Sequence, residues 1–174
     1  MGQYPVSLPA PQPVPEGPSP LDADNIIKNH VILAMSAGLI PSPIVDMLAV
    51  TLIEVNMIAK LAKAYSFPTP HRLVTYKVLV ALAGGVVPVW LGFKFHGLVK
   101  NLPLIGHAIY LGTLSISGGA SVYAVGKLFQ KHFESGGTFL TGQNAILKHY
   151  FQEKHQEGKT LVPQMLRDAA SRAS

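Results

Sequence analysis

The sequence contains no cysteine in its 174 residues. Disulfide bonds, thiolate nucleophiles, iron–sulfur clusters and cysteine-ligated zinc sites are therefore excluded, and the fold has to be stabilised by packing. Charged residues are scarce as well: they make up 13% of the chain, whereas about 25% is usual in soluble domains. With an apolar share of 48% and a mean hydropathy of +0.30, the composition favours a membrane protein of one domain with flanking tails.

Catalytic and metal-binding patterns are also missing. The seven histidines form no HxxxH or HExxH spacing. Asp46 and Glu54 are eight residues apart, so they point to different sides of a helix and make a poor acid and base pair. Ser117 lies in SISGG, which is not the GxSxG pattern of a nucleophilic serine. We expect a protein that is not an enzyme and that binds no cofactor and no metal.

The net charge of +5 is unevenly distributed along the chain. Residues 1–25 contain three acidic and no basic residues, whereas residues 127–174 contain seven basic and four acidic residues. Lys and Arg beside a membrane are attracted to anionic lipid by about 1 kcal/mol each. We therefore expect membrane lipid as a partner, with Lys127 and Lys131 as headgroup contacts. No nucleic-acid partner is expected, because no aromatic platform is interleaved with arginine.

The first 24 residues form a proline-rich tail. Seven of the 14 prolines fall within residues 1–20, and each proline fixes φ at about −65° and lacks a backbone donor. This composition predicts an extended tail, and the lack of a basic start and an apolar core argues against a signal peptide. The tail is either a passive spacer or a strap that docks on a neighbouring subunit.

An amphipathic helical hairpin is predicted for residues 26–65. A first helix runs to a break at Pro41 and Pro43, and residues 44–65 form a second helix. The N-cap of the first helix is expected to be Asp22, Asp24 or Asn25. The second helix has one polar arc, and Glu54 lies away from it; the arc consists of Ser42, Asp46, Asn56, Lys60 and Lys63. Such a hairpin is re-entrant in the bilayer or lies in its interface, since the first helix is short for a span.

A two-helix transmembrane hairpin is predicted next. Residues 101–126 contain no Asp, Glu, Lys or Arg, and residues 104–126 are long enough to cross a hydrocarbon core of about 30 Å. Residues 73–99 form the other span, with a kink near Gly84 and Gly85. The positive-inside rule then places both termini in the cytoplasm. The alternative for residues 104–126 is a helix that is wholly buried in a soluble helical bundle.

Small residues repeat along residues 104–126. Ser115 and Gly119 are four residues apart, and Gly118 lies on the same helix. Small side chains let helix backbones approach closely in lipid. We expect this face to pack either against residues 79–91, which include Gly84 and Gly85, or against another subunit.

Amphipathic cytoplasmic helices are predicted for residues 141–174. The first has an apolar face, and the last begins at Pro163. The apolar face consists of Ile146, Leu147, Tyr150 and Phe151. Such faces have to be covered by the membrane hairpin, by a lipid surface or by another copy of the chain.

Two strings in residues 26–140 carry a resemblance to a known family. They are AGLIPSPIVDMLAVTLIEVNMIAKLAKAYSFP and LPLIGHAIYLGTLSISGGASVYAVGKLFQKHFESG. The turn with Pro41, Pro43 and Asp46 and the exit with Phe133 and Gly136 resemble the YcjF-type bacterial membrane domain of unknown function (domain of unknown function 697), which is often joined to GTPase domains. The resemblance implies a membrane-embedded domain over residues 25–140. Any GTPase would have to act in trans, because no GxxxxGK[ST] phosphate loop is present.

The expected function is structural. We expect an all-α membrane protein that self-assembles into a homo-oligomeric scaffold and organises or shapes a bacterial cytoplasmic (inner) or intracytoplasmic membrane. Its predicted parts are residues 1–24, 25–140 and 141–174. The alternatives are a membrane adaptor for a separate GTPase and a small channel. A channel is disfavoured because no polar face runs along a predicted span.

Overall fold

The computed structural model describes residues 20–37, 43–68 and 104–173, which form four α-helices. The helices are α1 (Pro20–Ala37), α2 (Pro43–Ala64), α3 (Leu104–Glu134) and α4 (Asn144–Ala173), and a 3-10 turn at Phe139–Thr141 precedes α4. Helix α3 packs against each of the other three helices. Helices α1 and α2 also pack against each other as an antiparallel pair, with His30 opposite Asn56. Helix α3 is therefore the centre of the described structure.

Proline starts the first two helices. Pro20 and Pro43 occupy the first helical position, where a missing N–H has no cost and the fixed φ already suits a helix. Helix α1 therefore begins before Asp22, Asp24 and Asn25, and the prediction that one of these residues caps it is wrong. Both ends of α2 lie within one residue of their predicted positions.

The C-terminal ends of α2 and α3 pack together. Each helix is followed by a residue in the left-handed region, Ser66 at φ 56° and Gly136 at φ 67°, and backbone hydrogen bonds satisfy the last carbonyls. The ring of Phe67 lies 5.2 Å from that of Phe133 at the end of α3. A Cβ on Gly137 would lie 3.0 Å from the Phe67 ring, and φ is 83° at this position, so a glycine suits both the space and the backbone.

The core contains apolar side chains from all four helices. Fully buried residues of this size contribute about 1.5–3 kcal/mol each relative to an exposed position. The largest of them are Ile27 and Val31 of α1, Met57, Ile58 and Leu61 of α2, Val122, Val125 and Leu128 of α3, and Val162 of α4. Protein therefore covers the inner apolar stripe of each helix.

The predicted transmembrane hairpin is wrong. Across the described ranges, no helix is long and apolar enough to cross a membrane. The stretch 104–126 has no charged residue, but nine of its 23 residues are Gly, Ser or Thr. From Ala120 onward its apolar residues are buried against α1, α2 and α4, so protein neighbours explain the lack of charge in this part of the stretch. The other predicted span, residues 73–99, lies outside the described residues, and the predicted orientation of the termini loses its basis.

The C-terminal segment is one helix and not two. Helix α4 continues through Pro163, so the prediction that a separate helix begins there is wrong. A proline inside a helix removes one hydrogen bond and costs about 3 kcal/mol. Val162, next to it, is fully buried against α3, and this packing offsets the cost. Most of the predicted apolar face is covered by the same chain, through Leu147, Phe151 and the partly buried Tyr150, whereas Ile146 is 56% exposed.

Replacing Gly119 with alanine is expected to destabilise the protein. The added methyl carbon would lie 2.9 Å from side-chain atoms of Met35 and Val162. The neighbouring helices would have to move apart, at a cost of about 1–3 kcal/mol. Urea unfolding followed by circular dichroism would measure this change.

The matched control is Gly112→Ala on the same helix. A methyl group there has no neighbouring atom within 4 Å. Alanine should therefore stabilise the helix by up to about 1 kcal/mol through its higher helix propensity. Equal effects of the two substitutions would contradict the close packing at Gly119.

Candidate functional site

The outer sides of α1 and α2 expose three leucines. Leu33 on α1 is 54% exposed, and Leu48 and Leu52 on α2 are 57% and 70% exposed. Leu48 and Leu52 lie one helical turn apart and therefore share one face of α2. Single exposed leucines are ordinary on protein surfaces, whereas contiguous exposed apolar patches are typical of contact sites. We call Leu33, Leu48 and Leu52 the leucine surface.

A polar contact between α1 and α2 fixes the position of Leu33 relative to Leu52. His30 is buried; its Nδ1 lies 2.7 Å from the carbonyl oxygen of Ile26, and its Nε2 lies 3.1 Å from the side-chain amide of Asn56. Leu33 follows His30 by about one turn, and Leu52 precedes Asn56 by about one turn. Because the helices are antiparallel, both leucines lie at the same level of the pair.

The inner side of α2, which faces α3, carries a buried acid. Glu54 is 6% exposed, and its Oε1 accepts a hydrogen bond of 3.2 Å from the hydroxyl of Ser121 on α3. Removal from water raises the pKa of Glu54 to about 7, while the Ser121 hydrogen bond acts in the opposite direction. No cation in the described part of the chain forms an ion pair with this carboxyl. Glu54 therefore changes its charge near neutral pH inside the interface between α2 and α3.

Lys127 of α3, a predicted headgroup contact, is engaged within the protein. Its Nζ lies 2.6 Å from Oδ1 of Asp24 on α1 and donates to Oε1 of Gln130 at 3.0 Å. An ammonium group already bonded to a carboxylate and an amide has little hydrogen-bonding capacity left for a lipid. Lys131, the other predicted headgroup contact, is exposed. Lys127 therefore joins α1 to α3.

A second polar cluster joins α3 to α4. The Tyr123 hydroxyl donates to Oε1 of Glu157 at 2.6 Å, and Nζ of Lys154 lies 2.7 Å from Oε2 of the same carboxylate. Hydrogen bonds from Lys154 and Tyr123 lower the pKa of Glu157, while burial and the Glu157 carboxylate raise the pKa of Tyr123. Each charge in this cluster has a partner, which is typical of a contact that holds two helices together.

Two histidines with lowered pKa values belong to the packing. The Nδ1 of His132 accepts a hydrogen bond of 3.2 Å from the N–H of Leu140, and partial burial lowers the pKa of His132. His155 is buried with its ring stacked on that of Phe151, and desolvation followed by the charge of Lys159 lowers the pKa of His155. Among the residues that the structure describes, no group of three His, Cys, Asp or Glu side chains could hold a metal ion.

The small residues that were predicted to pack helices do so within the chain. Ser115 is buried, and its hydroxyl donates to the carbonyl oxygen of Met35 on α1 at 2.6 Å. Gly119 is buried between Met35 and Val162 of α4. The observed partners of this face are thus α1 and α4. Its predicted partner, residues 79–91, lies outside the described residues.

The remaining predicted positions lie near the start of α2 or outside the described residues. Pro43 begins α2, Asp46 lies in its first turn, and Gly118 of α3 lies next to Val50 of α2. Three predicted positions lie outside the described residues: Pro41, Gly84 and Gly85.

The leucine surface has no counterpart among the predicted site residues, although the sequence contains a signal for it. Leu48 and Leu52 lie beside the polar arc of α2, whereas Glu54 lies on its apolar side. An ordinary amphipathic helix has the opposite arrangement at these positions. Departures from local rules of this kind occur at functional positions.

The buried Glu54 should make stability depend on pH. The pKa of Glu54 in the folded protein is about 7 and lies above the ordinary value of 4.5, so the folded state retains this proton over a pH range in which the unfolded chain has lost it. The retained proton on Glu54 contributes roughly 3 kcal/mol to the free energy of unfolding. This contribution is fully present below about pH 4.5 and is lost as the pH rises through about 7. Urea unfolding at about pH 5 and about pH 8 measures the loss.

The control for this experiment is Glu54→Gln, which keeps the shape of the side chain and removes the titration. His132 and His155, with lowered pKa values, change stability in the opposite direction with pH. The difference between the parent and the variant therefore isolates Glu54. The same pH dependence in both proteins would contradict a buried, titrating Glu54.

Comparison with known proteins identifies a relative. Over 157 residues the chain is 34% identical to magnetosome membrane protein 22 of Magnetospirillum gryphiswaldense, and the match covers 86% of this chain and 80% of that protein. No family model matches the chain, and no solved structure matches it. At this identity and coverage, the chain belongs to the family of magnetosome membrane protein 22.

Proposed function

We propose that this protein is membrane-associated and that the leucine surface is the part of it that contacts lipid. Its relative is named a magnetosome membrane protein, and we extend that location to this chain. The observation that carries the proposal is the exposure of three leucines on the antiparallel pair α1 and α2. This contact needs no membrane-spanning helix, because an amphipathic helix can lie in the membrane interface.

The energetics favour a reversible contact. Complete burial of one leucine side chain contributes about 1.5–3 kcal/mol. The leucines are already partly covered, so three of them supply a few kcal/mol in a membrane interface. Such a contact supports weak binding of one molecule, and several linked copies would bind much more tightly.

The finer proposal is that copies of the protein assemble into a homo-oligomeric scaffold that organises or shapes the membrane. A structural role is supported by the polar groups of α3 and α4, which are paired with each other through Tyr123, Glu157 and Lys154. Contacts between subunits would involve surfaces other than Ser115 and Gly119, which are buried within one chain. The proline-rich residues 1–19 remain our candidate for a strap between copies.

The alternative, an adaptor for a separate GTPase, rests on the sequence resemblance alone. The described residues add no feature that favours a GTPase partner. We therefore place the structural role first, and co-purification of a GTPase with the full chain would reverse this order.

Replacing Leu48 and Leu52 together with glutamine should weaken binding to lipid vesicles at least tenfold. Each substitution removes a large apolar side chain from the contact, and about 1.4 kcal/mol corresponds to a factor of ten. Flotation of the full chain with phosphatidylcholine vesicles, with and without phosphatidylglycerol, measures the bound fraction. Both positions are exposed, so the variant should fold like the parent.

The matched control is the double substitution Ile146→Gln and Leu166→Gln on α4. It removes the same kind of exposed apolar side chain from a different helix. If both double variants lose binding equally, the contact is not specific to the leucine surface. If the parent does not bind vesicles of either composition, the proposal is wrong.

Deletion of residues 1–19 should reduce the size of the assembly without unfolding the protomer. A polyproline segment contributes contacts to a neighbour but no core. The particle mass of the full chain and of the deletion variant can be compared after gentle detergent extraction, with circular dichroism as the folding control. A monomeric full chain, or an unchanged mass after the deletion, would contradict the strap.

A further inference from the structure

The outer side of α2 changes from apolar to basic along its length. Leu48 and Leu52 are exposed in its first half, and Asn56, Lys60 and Lys63 are exposed in its second half. At 100° per residue, the directions of all five side chains fall within about one third of a turn. One face of α2 therefore carries two leucines at one end and two lysines at the other.

The charges of this lysine pair are available to a partner. Neither Lys60 nor Lys63 forms an ion pair with a residue in the described ranges, in contrast to Lys127 and Lys154. Glu54 of the same helix is turned inward toward Ser121. The exposed ammonium groups of α2 are thus not neutralised by an acidic side chain among the described residues.

We propose that α2 docks on an anionic lipid surface, with Leu48 and Leu52 among the acyl chains and with Lys60 and Lys63 on the headgroups. This inference rests on the proposed function and adds the chemistry of the lipid. Leu52 and Lys63 are separated by about 16 Å along the helix axis. The helix axis is therefore inclined to the membrane plane, with its N-terminal half deeper and the long lysine side chains extending to the headgroup layer.

A second copy of the chain fits this face less well. Parallel pairing of two α2 helices would place the lysines of both copies side by side, and like charges repel. Antiparallel pairing would place the ammonium groups against the leucines of the other copy, where they lose hydration without gaining a partner. An anionic bilayer offers an apolar layer and negative charge at the required separation, and it is the occupant that this face favours.

The test uses the full chain and the double substitution Lys60→Gln and Lys63→Gln. The variant should bind vesicles that contain phosphatidylglycerol roughly tenfold more weakly than the parent, because each lysine near an anionic surface contributes to attraction. Binding to pure phosphatidylcholine vesicles should be unchanged. High salt should remove the parent's preference for the anionic vesicles. Lys60→Arg with Lys63→Arg should keep the preference, since the charge is kept.

The matched control is Lys148→Gln with Lys159→Gln, which removes two exposed lysines from one side of α4. It should retain the preference for anionic vesicles. An equal loss in both glutamine variants would overturn the inference, because net charge would then explain the binding. Folding of each variant is checked by circular dichroism. If the glutamine variant is unfolded, the parent's own preference for anionic vesicles and its loss at high salt provide the result, and a parent with no such preference overturns the inference.

Two outcomes separate this inference from the proposed function. If binding requires the leucines but is equal for both lipid compositions, the headgroup contact is wrong and the membrane association remains. If the parent binds neither kind of vesicle, both fail. Concentration-dependent self-association that is lost in the Leu48→Gln and Leu52→Gln variant without lipid would identify a second copy as the occupant and overturn the inference.

Discussion

The close approach of α1 and α4 to α3 is the constraint on which the rest of the described structure depends. Helices come this near only where side chains are small. Gly126 of α3 admits Ile27 of α1, whose side chain would lie 2.8 Å from a Cβ at that position. Gly158 of α4 allows a similar close contact with α3, since a Cβ at this position would lie 3.0 Å from the Cα of Ala120. These contacts place the apolar stripes of α1 and α4 on α3 and cover the apolar residues of α3 from Ala120 to Phe133 with protein.

The same close packing determines the ionisation of the polar groups around α3. Where a buried or half-buried group meets an opposite charge, the ionised form is retained, as in Glu157 beside Lys154. Where the partner is only a hydroxyl, desolvation prevails, as in Glu54 beside Ser121. Helix α1 is thus joined to α3 by an ion pair, and α4 by a hydrogen bond from Tyr123 to the ionised Glu157, whereas α2 meets α3 through a carboxyl that is neutral only on the acidic side of about pH 7.

Local geometry in the described residues could be predicted from the sequence, but the surroundings of α3 could not. Proline predicted the start of α2 to within one residue, because this residue type acts on the backbone itself. A stretch without charge fits a lipid environment and a protein interior equally well. The length of residues 104–126 predicts a membrane span, and the sequence contains no local signal for the protein neighbours that replace the lipid. Locally, Pro163 predicts the start of a new helix. Helix α4 continues through it because Val162 is buried against α3, a helix remote in sequence, and the local sequence does not contain this contact.

Helix α2 is the element in which folding and contact with another molecule have opposite requirements. An inward Glu54 loses hydration, and the outward Leu48 and Leu52 leave apolar surface in water, so both features weaken the isolated fold. On a lipid surface these leucines would leave water, and their burial would stabilise the bound state. In the proposed contact, Lys60 and Lys63 also limit how deeply the helix enters, because their ammonium groups have to stay with the headgroups. The inner stripe of α2 packs on α3 while its outer leucines and lysines are exposed, so in the proposed contact this 22-residue helix serves the core and the membrane at the same time.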